Sequence, residues 1–184
     1  INNESSGTFN VTSSAIYLSG GSSSLVNSGT FKLVASSVYL NVNPCSVTNN
    51  PGATLSMNGS LLSFSASAGQ EFYNYGTVNA TTGSNTITML SGSSDNTIYN
   101  YGTFNAGSVT SACTITLAGT RGDIKNTSAV LSGTTYNGSF NLGPTSIIKF
   151  NSACTNCQVN NDASCSSCTF SLLSDVNGAA TIYQ

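Results

Sequence analysis

One phrase recurs along this chain at a nearly fixed interval. Asn27-Ser28-Gly29-Thr30-Phe31, Asn74-Tyr75-Gly76-Thr77-Val78 and Asn100-Tyr101-Gly102-Thr103-Phe104 are three copies of it. Weaker copies stand at Glu4-Ser5-Ser6-Gly7-Thr8-Phe9, Asn50-Pro51-Gly52-Ala53-Thr54-Leu55 and Asn126-Thr127-Ser128-Ala129-Val130. Traces follow at Asn151-Ser152-Ala153 and Asn177-Gly178-Ala179. Counted on the asparagines at 27, 50, 74, 100, 126, 151 and 177, the intervals are 23, 24, 26, 26, 25 and 26 residues. A repeat of this period marks a solenoid, in which each unit buries its apolar side only by stacking on its neighbours.

Within a repeat, short apolar runs alternate with Ser, Gly, Thr and Asn. Examples are Val78-Asn79-Ala80 and Ile87-Thr88-Met89, then Phe104-Asn105-Ala106 and Ile115-Thr116-Leu117. Alternation is the period of a half-buried strand, and the branched and aromatic types favour one. Helical periodicity is missing, and the usual surface helix formers are scarce. The expected fold is therefore all-β: a single-domain parallel β-helix (β-solenoid) spanning 1–184, of about seven coils of 22–26 residues with three short strands each. At the strand spacing of about 4.8 Å, seven coils make a rod roughly 34 Å long. Residues 151–176 form a Cys-rich terminal coil and 177–184 an incomplete last one. Three internal columns are expected. One holds Phe9, Phe31, Leu55, Val78, Phe104 and Val130. A second holds Ile16, Val38, Leu61 or Ser63, Ile87, Ile115, Phe140 and Phe170. The third holds Leu25, Val47, Phe72, Ile98, Ile124 and Ile147.

The recurring asparagines suit corners, because Asn tolerates left-handed backbone and bonds its own main chain. Stacked, their amides bond from coil to coil. Asn27, Asn50, Asn74, Asn100, Asn126, Asn151 and Asn177 are read as such a ladder, and the glycine that follows as the residue allowing positive φ at the bend.

Charge is nearly absent. Only 5% of the 184 residues are charged, with 4 Lys+Arg, 6 Asp+Glu and no His, against about 25% in ordinary soluble proteins. Phosphate binding needs clustered Lys and Arg, so nucleic acid is not an expected partner. No apolar run is long enough for membrane insertion. The chain begins inside a repeat without a leader, which fits a processed, secreted chain.

Cys154, Cys157, Cys165 and Cys168 read C-x-x-C, seven residues, C-x-x-C. This spacing suits a zinc ligand set or a disulfide-stapled terminal coil. Their Ser, Asn and Thr surroundings and the extracellular character of the chain favour disulfides, with pairing left open. Cys45 and Cys113 stand far apart in the repeat and have no obvious mutual partner.

No catalytic set emerges. Glu4, Glu71, Asp95, Asp123, Asp162 and Asp175 fall in different repeats, and no two share a position in adjacent coils. Paired carboxylates or a histidine base are what hydrolytic chemistry would require, so no enzyme, metal or cofactor is expected. Arg121-Gly122-Asp123 is an RGD tripeptide in an expected turn, a potential adhesion ligand. Thr86-Ile87-Thr88 and Thr114-Ile115-Thr116 stack as Thr-x-Thr, the pattern of ice-binding solenoids, over two coils. Tyr73 and Tyr75 flank Asn74 as Tyr99 and Tyr101 flank Asn100, so these rings should pair outward one coil apart as a contact patch for sugars or a neighbouring subunit. Sequons occur at Asn3, Asn10, Asn58, Asn79, Asn126 and Asn137, in a composition that yields them readily.

The phrase Asn-x-Gly-Thr-(Phe/Val)-Asn-Ala, as in Asn74–Ala80 and Asn100–Ala106, resembles the degenerate repeats of filamentous-haemagglutinin-type adhesins and other secreted β-helix surface proteins. The resemblance implies an extracellular, structural or adhesive role without catalysis. The Cys-rich last coil departs from that pattern. Neither end of the chain carries a recognisable cap, and open strand edges invite pairing. The expected function is thus an extracellular, self-assembling filament subunit whose partner is itself, head to tail. The alternative is a non-catalytic adhesin or glycan-binding module at a cell surface.

Overall fold

Alternating side chains along each segment produce strands throughout. In the computed structural model, which describes residues 1–42, 44–65, 69–89, 95–117, 121–143, 146–150, 157–161, 165–172, 176–177 and 180–183, every regular element is a β-strand. No helix among these residues is long and apolar enough to cross a membrane. The strands stack into three parallel sheets around one core, and the fold is a parallel β-solenoid.

The first sheet runs Asn2–Asn3, Ser23–Asn27, Cys45–Asn49, Gln70–Asn74, Asp95–Asn100, Arg121–Asn126, Cys157–Asn161 and Ala180–Tyr183. The second runs Thr8–Thr12, Thr30–Val34, Thr54–Asn58, Thr77–Thr82, Thr103–Ala106, Ser139–Leu142 and Thr169–Leu172. The third runs Ala15–Leu18, Ser37–Leu40, Leu61–Phe64, Asn85–Met89, Cys113–Leu117, Ile147–Phe150 and Val176–Asn177. Each strand pairs with the equivalent strand one coil away, so a position in the repeat becomes a column along the rod.

The columns are observed, with their upper ends corrected. The first joins Phe9, Phe31, Leu55, Val78, Phe104, Phe140 and Phe170. The second joins Ile16, Val38, Leu62, Ile87, Ile115, Ile148 and Val176. The third joins Leu25, Val47, Phe72, Ile98, Ile124, Val159 and Ile182. Leu62 thus stands where Leu61 or Ser63 was expected. Phe140 and Phe170 belong to the first column, and Ile147 and Val130 to none of the three. Val130 is 67% exposed.

One insertion explains the slips in the sixth coil. Ser128–Leu131 and Thr134–Asn137 form an antiparallel hairpin outside the three sheets. Its turn carries positive φ at two successive residues, Ser132 (50°) and Gly133 (79°), the geometry of a two-residue hairpin loop. The chain leaves the first sheet at Asn126, makes the hairpin, and resumes the repeat at Ser139-Phe140-Asn141. That lengthens this coil beyond the expected 22–26 residues: the next ladder asparagine comes 35 residues later.

Candidate functional site

A buried amide ladder runs at the corner between the first and second sheets. Asn3, Asn27, Asn49, Asn74, Asn100, Asn126 and Asn161 are its rungs, each Nδ2 donating to the Oδ1 of the next at 2.7, 2.8, 2.9, 2.8, 2.8 and 3.0 Å. The amide orientation is fixed independently. Nδ2 of Asn3, Asn27, Asn49, Asn74 and Asn126 also donates to the main-chain oxygen of Thr30, Thr54, Thr77, Thr103 and Thr169. A carbonyl can only accept, so the amide nitrogen must face it.

The ladder differs from the expected one at both ends. Asn49 replaces Asn50, whose Nδ2 donates instead to Ser28 Oγ at 2.8 Å. Asn3 adds a first rung. Asn161 follows Asn126, while Asn151 lies outside the described residues. Asn177 pairs with Lys149 in the third sheet and is no rung. The phrase glycines Gly29, Gly76 and Gly102 are not at positive φ, contrary to the expectation for the bend. They are small because another backbone lies against them.

The tyrosines pair as expected. Tyr73 stacks on Tyr99 at 5.0 Å between centroids and 4° between planes, and Tyr75 on Tyr101 at 4.6 Å and 5°. Tyr99 and Tyr101 lie 6.3 Å apart, and Lys125 Nζ caps the Tyr99 ring at 5.3 Å from its centroid. Tyr99 therefore has one face on a ring and the other under a cation, and Tyr73, Tyr75 and Tyr101 each have one face on another ring. Tyr17 and Tyr39 form a further stack at 4.8 Å. Burial, then the hydrogen bond and charge of Glu71, push the Tyr73 phenol well above its ordinary value; burial alone raises Tyr75.

Register also assembles a group that spacing did not suggest. Glu71, Thr97 and Asp123 occupy one column of the first sheet. With Asp95, Tyr99 and Lys125 they line a shallow depression of about 430 Å³. Glu71 is hydrogen-bonded to Tyr73, and Asp123 pairs with Lys125 at 3.7 Å. Among the described residues no three His, Cys, Asp or Glu side chains are placed to hold a metal ion. The RGD tripeptide lies in a strand, not a turn, and its Asp123 is 1% exposed, so it is not displayed as an adhesion loop. Thr86 with Thr114, and Thr88 with Thr116, are in register on the third sheet as expected.

Cys165 and Cys168 form a disulfide across a tight turn, and as a disulfide they cannot act as thiolate ligands. Cys154 lies outside the described residues, and Cys157 is described only as part of a strand. Cys45 and Cys113 are buried in different sheets, Cys45 Sγ donating to Leu40 O at 3.8 Å, and Cys113 is a free thiol. Burial pushes the Cys113 thiol up to about 12. We expect Cys113 to resist alkylation at pH 8 in the folded protein and to react at the free-thiol rate in denaturant, read by mass spectrometry. Because the folded value lies above the unfolded one, the contribution of this thiol is fully present below about pH 8.5 and declines as pH rises from there towards 12.

No protein-family model, curated protein or solved structure matches the chain.

The ladder, the tyrosine stacks and the ion pair all satisfy groups within the rod. Among the described residues, Asn3 Oδ1 in the first coil and the hydroxyls of Thr30, Thr54, Thr77 and Thr103 on the second sheet make no hydrogen bond.

Proposed function

We propose that this β-solenoid is an extracellular structural subunit that lengthens into a surface filament, the C-terminal end of one copy stacking on the N-terminal end of the next. The observation that carries the reading is the stacking itself: successive coils pair in register and pass one amide ladder along the rod in a single direction, an arrangement that a further coil continues. Among the described residues the first coil's strands Asn2–Asn3, Thr8–Thr12 and Ala15–Leu18 are paired on one side only. Phe9 is 37% exposed where its column neighbour Phe31 is 0% exposed. Asn3 donates to Asn27, and its own Oδ1 makes no hydrogen bond among the described residues. Another coil laid there would pair the strand edges, cover Phe9 and supply the missing amide donor.

The ladder gives such growth a direction. Each rung from Asn3 to Asn126 donates towards the C-terminal end, so the N-terminal end offers an acceptor. An acceptor end cannot extend against another acceptor end. The contact is heterologous and does not close, the requirement for an open filament. A nearly charge-free surface offers little repulsion between copies, and the disulfide accords with an oxidising compartment. The repeat phrase, similar to that of filamentous-haemagglutinin-type adhesins, supports the same reading.

Electron microscopy of the purified, unreduced chain tests it. Filaments with an axial repeat of roughly 34 Å, seven coils at strand spacing, are expected, and Phe9→Asp should shorten or abolish them. Monodisperse short rods would sink the proposal and move the weight to the adhesin reading. That reading is less well supported, because each of these four tyrosines, Tyr73, Tyr75, Tyr99 and Tyr101, already has one ring face stacked on another ring.

A further inference from the structure

The second sheet turns one hydroxyl outward from every strand. Thr8, Thr30, Thr54, Thr77, Thr103, Ser139 and Thr169 form a single unbroken column. Two residues on, a second outward column includes Ser56, Asn79, Asn105 and Asn141. In that column Asn105 Nδ2 donates to Asn79 Oδ1 and Asn141 Nδ2 to Asn105 Oδ1, both at 2.9 Å, so the amides are held at fixed positions. From Thr54 to Ser139 neither column carries a charge.

The hydroxyls of Thr30, Thr54, Thr77 and Thr103 make no hydrogen bond to any described residue. Only at the far end does the column bond to itself, Thr169 Oγ1 to Ser139 Oγ at 2.9 Å. The backbone pins these groups about 4.8 Å apart along the rod and about 6.6 Å across, the strand spacing and two strand residues.

Liquid water hydrates an isolated hydroxyl as well as an arrayed one, so the array gains nothing from bulk solvent. It gains from a partner whose donors and acceptors are themselves fixed at a commensurate spacing. Each contact then follows the first with little further loss of freedom. We propose that this face binds the ordered water lattice of ice. Oxygen repeats on the faces of hexagonal ice are of this same order, and the threonine methyls between the hydroxyls hinder freely oriented water. A crystalline polysaccharide is also periodic, but sugar rings are gripped by aromatic faces, and the two columns hold no aromatic residue. The Thr-x-Thr pair of the third sheet is a weaker platform. Its outer column holds only Ser63, Thr88 and Thr116, bounded by Tyr39 on one side and Lys149 on the other.

Thermal hysteresis and ice-crystal habit of the purified chain decide the matter. A gap between melting and freezing points with faceted crystals is expected. Thr77→Tyr and Thr103→Tyr, whose side chains point outward and leave the core untouched, should each reduce the gap about tenfold or more, because one raised position lifts its neighbours out of contact. Circular dichroism should show an unchanged fold. Thr88→Tyr on the third sheet should leave the gap intact. Coincident melting and freezing with rounded crystals would overturn the proposal. So would a loss from Thr88→Tyr equal to that from Thr77→Tyr, or retention on crystalline cellulose or chitin without any gap.

Discussion

Replacing Asn100 by aspartate should destabilise the solenoid by about 3–5 kcal/mol at pH 7, the cost of a buried charge left without a partner. The residue is 0% exposed. Its Oδ1 accepts from Asn74 Nδ2 and its Nδ2 donates to Asn126 Oδ1, each at 2.8 Å. Aspartate has nearly the same shape, and when ionised it is acceptor-only. It would keep the bond from Asn74 and set an oxygen against the oxygen of Asn126. Protonation relieves both the charge and the clash, so the folded pKa rises above the unfolded value of about 3.9. The native state then holds the proton more tightly than the unfolded chain. Stability is fully present below that unfolded value and is lost as pH rises through the folded one. The variant should therefore be more stable at pH 3 than at pH 7 by urea denaturation, the reverse of a salt-bridged carboxylate. Asn100→Ala should cost about 2–3 kcal/mol at either pH, since Asn126 Oδ1 loses its donor. Asn105→Ala, in the half-buried outer ladder, should cost less than about 1 kcal/mol because water replaces the lost bonds. A buried-rung effect no larger than the outer one would mean that the inner ladder follows the fold and does not hold it.

The ladder also shows where sequence and structure part. Spacing alone located the rungs at 27, 74 and 100, where Asn is followed three residues later by Thr, and at 126, which lies one full period beyond 100. At Asn3 and Asn49 the corner is two residues longer. Glu4–Gly7 and Asn50–Ala53 each make an extra turn, closed by Gly7 N–H to Glu4 O at 2.8 Å and Ala53 N–H to Asn50 O at 3.0 Å. Aligning on the nearest Asn-x-Gly therefore slid the third rung by one residue and hid the first. In the sixth coil, Asn137-Gly138-Ser139-Phe140-Asn141 carried the phrase, but the apolar Ala129-Val130-Leu131 stood nearer the expected interval. The Ser-Gly pair at 132–133 was the local sign that these residues belong to a hairpin. The tyrosine pairs were legible because flanking residues of a rung inherit its register. The grouping of Glu71 with Asp123 was not. They are separated by one whole coil, with Thr97 between, and only residue-by-residue pairing aligns them. The outward Thr column was present in five copies of the phrase, at Thr8, Thr30, Thr54, Thr77 and Thr103, as the residue before the Phe, Leu or Val of the first column. Repetition marked it as scaffold, and only the lack of a hydrogen-bond partner gives it a further meaning.

Gly102→Ala is expected to be the most damaging single-methyl change in the chain, costing at least about 3 kcal/mol, the upper end of the overpacking range, or preventing folding. A Cβ at Gly102 would lie 2.1 Å from the main-chain oxygen of Gly76 and 2.7 Å from the carbonyl carbon and oxygen of Tyr75. These are backbone atoms and cannot rotate aside. Nor can the coil rise to make room, because Thr103 N–H donates to Gly76 O at 2.9 Å and Tyr101 N–H to Asn74 O at 2.8 Å across the same gap. The glycine is there for closeness, not for handedness. Gly59 provides the contrast: φ is +57°, and a Cβ would meet nothing within 4 Å. Gly59→Ala should cost only the left-handed penalty of about 1–2 kcal/mol. Guanidinium denaturation of the two variants separates close approach from conformation. Ala53 sharpens the test. It accepts from Thr77 N–H at 2.9 Å, the bond that Gly76 makes with Thr103, and it carries a buried Cβ. Its corner has the longer Asn50–Ala53 turn, so a Cβ is tolerated where the chain has two more residues with which to step around the coil below. If Gly102→Ala proved as mild as Gly59→Ala, the short Asn-x-Gly corner would have to remodel towards the longer one. Inserting two residues after Asn100 should then leave the alanine variant unchanged. If the short corner is as rigid as its contacts imply, the same insertion should restore most of the lost stability.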